Sequence, residues 1–195
     1  MGNLGSITNM IKKIGYDSEV SSDMSKIKNA DRLILPGVGS FDEGVKNIEA
    51  LGIVDLLNER VLEEKVPILG ICLGMQLMTK RSEEGLSNGL GWVDAETKNF
   101  KSSNLKIPHM GWNKIHHVKG SNLFSELESE KRYYFVHSYY VDVNDDADIL
   151  TTTPYTHDFV SSFEKDNIIG CQFHPEKSHK FGMRLLKNFI EKFYC

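Results

Sequence analysis

Long apolar runs are missing from this chain: none of its 195 residues falls in a stretch approaching the ~18 that a membrane span needs, which argues against an integral membrane protein. Cysteine is scarce as well. Cys72, Cys171 and Cys195 form an odd set without close pairing, which speaks against a disulfide framework or a cysteine-rich metal site and suits a reducing cytoplasm. Basic residues are not in excess, since 23 Lys and Arg face 27 Asp and Glu for a net charge of -4, so no electrostatic footprint for nucleic acid is present. The N-terminus lacks the continuous apolar stretch of a secretory signal. Its first six residues match a lipidation pattern, but that pattern is short and commonly accidental. No internal repeat, low-complexity tract or linker interrupts the chain, and a single domain spanning residues 1–195 is expected in the cytoplasm.

What is there reads as an α/β protein. Ile7, Met10, Ile11 and Ile14 recur at helical spacing and stop at Gly15. Residues 32–35 form a short apolar strand ending at Pro36-Gly37-Val38-Gly39, and 45–65 carry helical periodicity broken near Gly52. Residues 66–71 predict a buried strand and 73–80 a helix. Strand signals crowd the second half, at 92–100, 113–118, 133–141, 148–152, 159–163 and 168–173. A last helix at 181–193 places Leu185, Leu186, Phe189, Ile190 and Phe193 on one apolar face. Alternating strands and helices in the first half imply a mainly parallel central sheet flanked by helices, and the later strands imply added antiparallel pairing.

Gly70-Ile71-Cys72-Leu73-Gly74 puts a cysteine between glycines where a buried strand passes into a helix. This is the layout of a nucleophile elbow with sulfur in place of a serine oxygen. A helix N-terminus favours thiolate, although a cysteine after an apolar strand is more often just a small buried residue. Gln172-Phe173-His174-Pro175-Glu176 closes another apolar strand. Pro175 keeps His174 out of the helical region, and in extended chain positions two apart share a side, so Glu176 can approach one imidazole nitrogen while the other faces a sulfur. A lone His-Pro-Glu is usually a surface turn; together with the strand-end cysteine it predicts a Cys72, His174, Glu176 triad. Leu35 to Ser40 is not a phosphate loop, because Asp42 stands where a glycine would be required. It is either a plain tight turn or a source of a backbone N–H which, with that of Leu73, could hold an oxyanion. His116 and His117, as strand neighbours, should point to opposite faces, and no metal is expected.

Gly70-Ile71-Cys72-Leu73-Gly74-Met75-Gln76 and Gln172-Phe173-His174-Pro175-Glu176-Lys177-Ser178 together resemble the class I, triad-type glutamine amidotransferases. Pro108-His109-Met110-Gly111-Trp112-Asn113 and Tyr134-Phe135-Val136-His137-Ser138-Tyr139-Tyr140 are further similar to the glutaminase subunits of imidazole glycerol phosphate synthases, and the likeness runs from residue 2 to about residue 190. The resemblance implies Cys72 as nucleophile, His174 as proton carrier and Glu176 as its orienter. It implies oxyanion N–H groups at Gly37 and Leu73, and glutamine held by Gln76, Ser138 and Tyr139. It also implies no cofactor, and a (β/α)8-barrel synthase partner that docks over Trp112, Tyr134 and Lys177 and receives the ammonia.

Two departures from the pattern stand out. Family members begin with a strand before the Gly2-Asn3-Leu4 seen here, so a central first strand is expected to be missing. The stretches 91–97 and 179–182 look more like paralogues encoded with surface-polysaccharide genes, which are thought to supply ammonia to sugar-modifying amidotransferases. Rival readings are a free-standing γ-glutamyl hydrolase or cysteine peptidase, which has no reason to carry Trp112 and Lys177, and an inactive interaction module, which has no reason to keep all three triad residues. The glutaminase subunits of anthranilate, guanylate and pyridoxal phosphate synthesis share the triad but lack the Pro-His-Met-Gly-Trp-Asn segment.

Overall fold

A computed structural model describes residues 4–102, 104–125 and 131–193; Gly2, Asn3 and Cys195, on which parts of the sequence reading rest, lie outside them. Six α-helices are described: α1 (Leu4–Lys13), α2 (Met24–Lys28), α3 (Phe41–Ala50), α4 (Val54–Asn58), α5 (Leu73–Leu77) and α6 (His179–Lys192). The strands are β1 (Leu33–Gly37), β2 (Ile68–Cys72), β3 (Ala95–Asn99), β4 (His109–Lys114), β5 (His116–His117), β6 (Arg132–His137), β7 (Tyr139–Val143), β8 (Ile149–Pro154), β9 (Asp158–Lys165) and β10 (Ile168–Cys171).

The main sheet runs β1-β2-β10-β9-β7-β3, with β8 on β9 and β5 on β8, and β4 with β6 makes a separate ribbon. β1, β2 and β10 are parallel, and the remaining pairs are antiparallel. This is the expected α/β architecture, with the parallel part confined to three strands. Among the described residues no strand precedes α1, and β1 is the sheet edge, half-buried along its length.

The sheet is two-sided, so successive residues of its central strands enter different cores. Ile68 and Ile168 join a cluster with Phe41, Val45, Leu57 and Met75, whereas Leu69, Ile71 and Ile169 join one with Ile7, Ile11, Phe135 and Phe173. α6 closes the second face through the fully buried Leu185, Leu186 and Phe189, each contributing about 1.5–3 kcal/mol by burial.

Several boundaries differ from the sequence expectation for physical reasons. The strand expected over 133–141 is two strands broken at Ser138, because β6 pairs with β4 while β7 pairs with β3 and β9; the chain changes sheets there. The strand expected at 92–100 is trimmed to β3, since the Trp92 and Val93 N–H groups donate to Met78 O, beyond the C-terminal end of α5. The helix expected over 73–80 stops at Leu77, and Lys80 N–H instead donates to Ala95 O. The 45–65 periodicity begins earlier, at Phe41, breaks at Gly52 (φ 65°) as expected, and ends in a π-helical turn, Glu59–Glu63. The strand expected at 113–118 is divided between β4, which starts at His109 and pairs with β6, and the two-residue β5, which pairs with β8; both His116 and His117 are exposed. α2 is unanticipated: only five residues long, it is set by Asp23, whose carboxylate accepts the Ser25 and Lys26 N–H groups.

α6 meets the turn before it at Gly182, where a Cβ would lie 1.7 Å from Pro175 O. Gly182→Ala is expected to destabilise the fold by about 1–3 kcal/mol. Thermal denaturation checks this: an unchanged melting temperature would mean that α6 is not seated on that carbonyl.

Candidate active site

The parallel register decides where the chemistry lies. Gly37 is the partner of Cys72 across β1 and β2, and Cys171 is the partner of Ile71 across β2 and β10. The chain beyond Cys171 therefore carries His174 to the edge where β2 delivers Cys72. That edge is formed by the C-terminal ends of parallel strands, the usual place for a site in an α/β sheet.

Cys72 sits at the α5 N-terminus with φ 54° and ψ -111°, a conformation that L side chains rarely adopt. The turn is tight because α5 packs against β1: a Cβ on Gly74 would stand 1.7 Å from Leu35 O, and one on Gly37 would stand 2.8 Å from Leu73 Cβ. Only glycine permits both approaches. The Cys72 Sγ faces Val136 O at 3.9 Å and receives a hydrogen bond from Gln172 Nε2 at 3.6 Å.

His174 is extended, as its following proline requires (φ -101°, ψ 98°). Glu176, however, does not reach the ring along an extended chain. Pro175–Lys177 forms a 3-10 turn, which folds the Glu176 carboxylate back so that Nδ1 of His174 meets Oε1 at 2.8 Å. The turn is pinned by Tyr134: its carbonyl accepts the His174 N–H at 2.9 Å, and its own N–H donates to Ser178 Oγ, which in turn donates to His174 O at 2.6 Å. Both members of the His174–Glu176 pair are buried, and Nε2 of His174 has no partner in hydrogen-bonding geometry. Burial alone pulls the imidazole pKa down, but the neighbouring Cys72 and Glu176, both of which favour the charged ring, outweigh it and raise the value to about 9.

Around Cys72, His174 and Glu176 the remaining expected residues fall into two groups. Gln76 Nε2 donates to Tyr139 O at 3.2 Å and to Gln172 Oε1 at 3.0 Å, which ties Gln76, Tyr139 and Cys72 together; Ser138, between β6 and β7, accepts the Phe100 N–H through its carbonyl. Trp112, Tyr134 and Lys177 form a cluster on the outer face. The Trp112 and Tyr134 rings meet edge-on at 6.2 Å, and Lys177 Nζ lies 5.6 Å from the Tyr134 ring centre. Trp112 is 45 % exposed and Met110 beside it 62 %. Among the described residues no group of His, Cys, Asp and Glu could hold a metal ion, and no helix is long and apolar enough to cross a membrane.

The pattern of the family described as glutamine amidotransferase class-I matches residues 2–193. The chain belongs to that family. This amidotransferase is 55 % identical over 193 residues to the imidazole glycerol phosphate synthase subunit HisH 2 of Methanococcus maripaludis, covering 98 % of this chain and 96 % of the relative. It is 44 % identical over 192 residues to the subunit HisH 2 of Pseudomonas aeruginosa, covering 98 % and 95 %. Among solved structures, one titled glutamine amidotransferase superposes with a TM-score of 0.75 at 18 % identity, covering 97 % of this chain and 93 % of that one. The glutaminase domain of Trypanosoma brucei CTPS with bound acivicin gives 0.65 at 16 %, covering 98 % and 89 %. At such identities these two structures speak for the fold.

Three features of the amidotransferase's site escaped the sequence reading. Gln172 touches the sulfur, and its place two residues before His174 on the same strand end was the available signal. The buried pair His109 and His137, in direct contact at 3.0 Å, gave no sequence signal, since their spacing reflects only the pairing of β4 with β6. Glu84 and Glu83 also act on the Tyr139 phenol, whose pKa is raised first by burial and then by those two carboxylates.

The raised value of His174 generates a pH prediction. Because the folded value lies above the ordinary 6.5, protonation of His174 stabilises the fold fully below about pH 6.5, and the contribution is lost as pH rises through about 9. Glu176→Gln removes one of the raising causes. An NMR titration of His174 is expected to have its midpoint near 9 in the wild type and lower in the variant; equal midpoints would show that Glu176 does not act on the ring.

Proposed function

We propose that this chain is the glutaminase subunit of a two-protein amidotransferase, with Cys72 as nucleophile and His174 and Glu176 completing the triad. The observation that carries the reading is the strained, glycine-flanked Cys72 at a helix N-terminus beside a buried imidazole held on its far side by a carboxylate. The Cys72 thiol passes its proton to His174 and its sulfur attacks the side-chain carbonyl carbon of L-glutamine, and the resulting oxyanion is met by the N–H groups of Gly37 and Leu73. His174 gives its proton to the leaving nitrogen, ammonia departs, and a thioester remains on Cys72. Water, losing a proton to His174, then cleaves the thioester to release glutamate and the free thiol. Glu176 keeps the ring oriented and supports its charge in both halves. Gln76, Ser138 and Tyr139 hold the substrate, and Gln172 joins them through its bond to the sulfur. The negative charge of Glu83 and Glu84 near Tyr139 suits the α-ammonium group of glutamine.

The acceptor of the ammonia is a synthase partner, a (β/α)8 barrel as in imidazole glycerol phosphate synthase, forming a heterodimer in the cytoplasm. Support comes from the relatives that bear that enzyme's name and from the exposed Met110 and Trp112 beside Tyr134 and Lys177. An exposed tryptophan edge-on to a tyrosine that carries a cation over its ring is the composition of an interface anchor. A second reading, supply of ammonia to a sugar-modifying amidotransferase, draws on the numbered names of several relatives, HisH 1 and HisH 2, which suggest more than one such subunit per organism.

Cys72→Ala is expected to abolish synthesis from glutamine by the complex while leaving synthesis from added ammonium largely intact. Glutamine hydrolysis near the wild-type rate in this variant would place the nucleophile elsewhere. The isolated chain is expected to be a poor glutaminase, because the Gly37-Val38-Gly39 peptides can rotate at little cost and one misplaced oxyanion donor lowers the rate by about 10²–10³-fold. Ammonia release measured with and without the partner and its acceptor substrate checks this; full activity of the chain alone would refute the gating and favour a free-standing hydrolase.

A further inference from the structure

His109 and His137 lie behind the substrate-holding residues, and neither has a role in the chemistry above. Both are buried. His137 Nδ1 lies 2.7 Å from Tyr139 O, His109 Nδ1 lies 3.0 Å from His137 Nε2, and Asn113 Nδ2 lies 3.2 Å from His109 Nε2.

The direction of every proton in this row can be derived from either end. Asn113 Oδ1 accepts the Lys114 N–H at 2.8 Å and its Nδ2 donates to Pro154 O at 2.8 Å, so the amide is oriented and Nδ2 can only donate to His109. His109 Nε2 is then the acceptor, and its proton sits on Nδ1, aimed at His137 Nε2. At the other end a backbone carbonyl can only accept, so His137 carries its proton on Nδ1 and leaves Nε2 free to accept from His109. The two ends agree. Both rings must be neutral, since a second proton on either would set two N–H groups against each other or against the Asn113 donor. Burial supports this, holding His109 down to about 4 and His137 to about 3.

Tyr139 O, the end of the row, also accepts Gln76 Nε2, whose second hydrogen goes to Gln172 and so leads to the Cys72 sulfur. The peptide of Tyr139 is therefore held from behind by the histidines and from the front by the glutamine-holding side chains, at the point where the chain passes from one sheet to the other. We propose that His109 and His137 are positioning residues that lock the Tyr139 carbonyl, and with it the Ser138–Tyr139 and Gln76 subsite, in the geometry that binds glutamine. The proposal rests on the glutaminase reading above.

The rings are surrounded by Phe100, Phe135, Tyr155 and Phe159, so a structural role as mere core filling is the alternative to exclude. The test uses a diazoketone analogue of glutamine that alkylates Cys72 in the isolated chain, with iodoacetamide, which needs no glutamine subsite, as control. Absence of saturable labelling in the wild type overturns the glutaminase reading and this proposal together. With saturable labelling in hand, His137→Gln, whose amide sits where Nε2 was, is expected to weaken half-saturation about tenfold by removing the donor to Tyr139 O. His137→Asn, whose Nδ2 sits where Nδ1 was, should recover most of that affinity. The saturating labelling rate and the iodoacetamide rate should stay within about twofold in both. Equal half-saturation in wild type and both folded variants, or equal losses in both variants, overturns the positioning role. On the wild type, which needs no variant to fold, ¹⁵N NMR of the ring nitrogens is expected to find the Nδ1–H tautomer at both histidines at pH 7. An Nε2–H tautomer or an imidazolium at His137 overturns the proposal.

Discussion

The parallel pairing of β2 with β1 on one side and with β10 on the other is the constraint from which the site follows. It aligns Gly37 with Cys72 and Ile71 with Cys171, so segments distant in sequence end at one edge of the sheet. A slip of one residue would turn Ile68 and Leu69 into the wrong cores and carry Cys72 away from the His174 turn. The two-sided burial of β2 makes such a slip costly, so the same contacts that stabilise the fold also position the sulfur and the imidazole.

Two local costs are borne by this scaffold. Cys72 holds a left-handed conformation, worth of order 1–3 kcal/mol, to place its sulfur at a helix N-terminus. His174 and Glu176 are buried together, and a buried pair that loses one member typically costs about 3–5 kcal/mol. The 3-10 turn at Pro175 makes the second cost tolerable, because Tyr134 and Ser178 satisfy the His174 backbone while the carboxylate satisfies Nδ1. Tyr134 links that turn to the outer cluster of Trp112 and Lys177, so the surface proposed for the partner lies one residue layer from His174.

The β4–β6 ribbon serves both sides at once. Alternation along β4 turns His109 inward and leaves Met110 and Trp112 exposed, and β6 ends in His137 immediately before the residues proposed to hold glutamine. A side chain that recognises a partner and one that shapes the substrate site therefore sit on the same short strand, with the fixed geometry of a β-ladder between them.

The residues themselves determined much of this in advance. Apolar runs and helical periodicity foretold the central strands and the final helix; two short motifs carried the resemblance to the family, and their strand-end glycines and His-Pro pair made Cys72, His174 and Glu176 candidates for one site. Tertiary structure alone decided the rest. The chain switches sheets at Ser138 because β6 and β7 find different partners, a fact of pairing that no local pattern carries. Glu176 reaches His174 through a turn rather than along a strand, since the packing of Pro175 against α6 fixes that bend. The neutral His109–His137 row exists only where two strands meet, since which nitrogen bears a proton depends on partners brought together by folding, here the Asn113 amide N–H at one end and the Tyr139 carbonyl at the other.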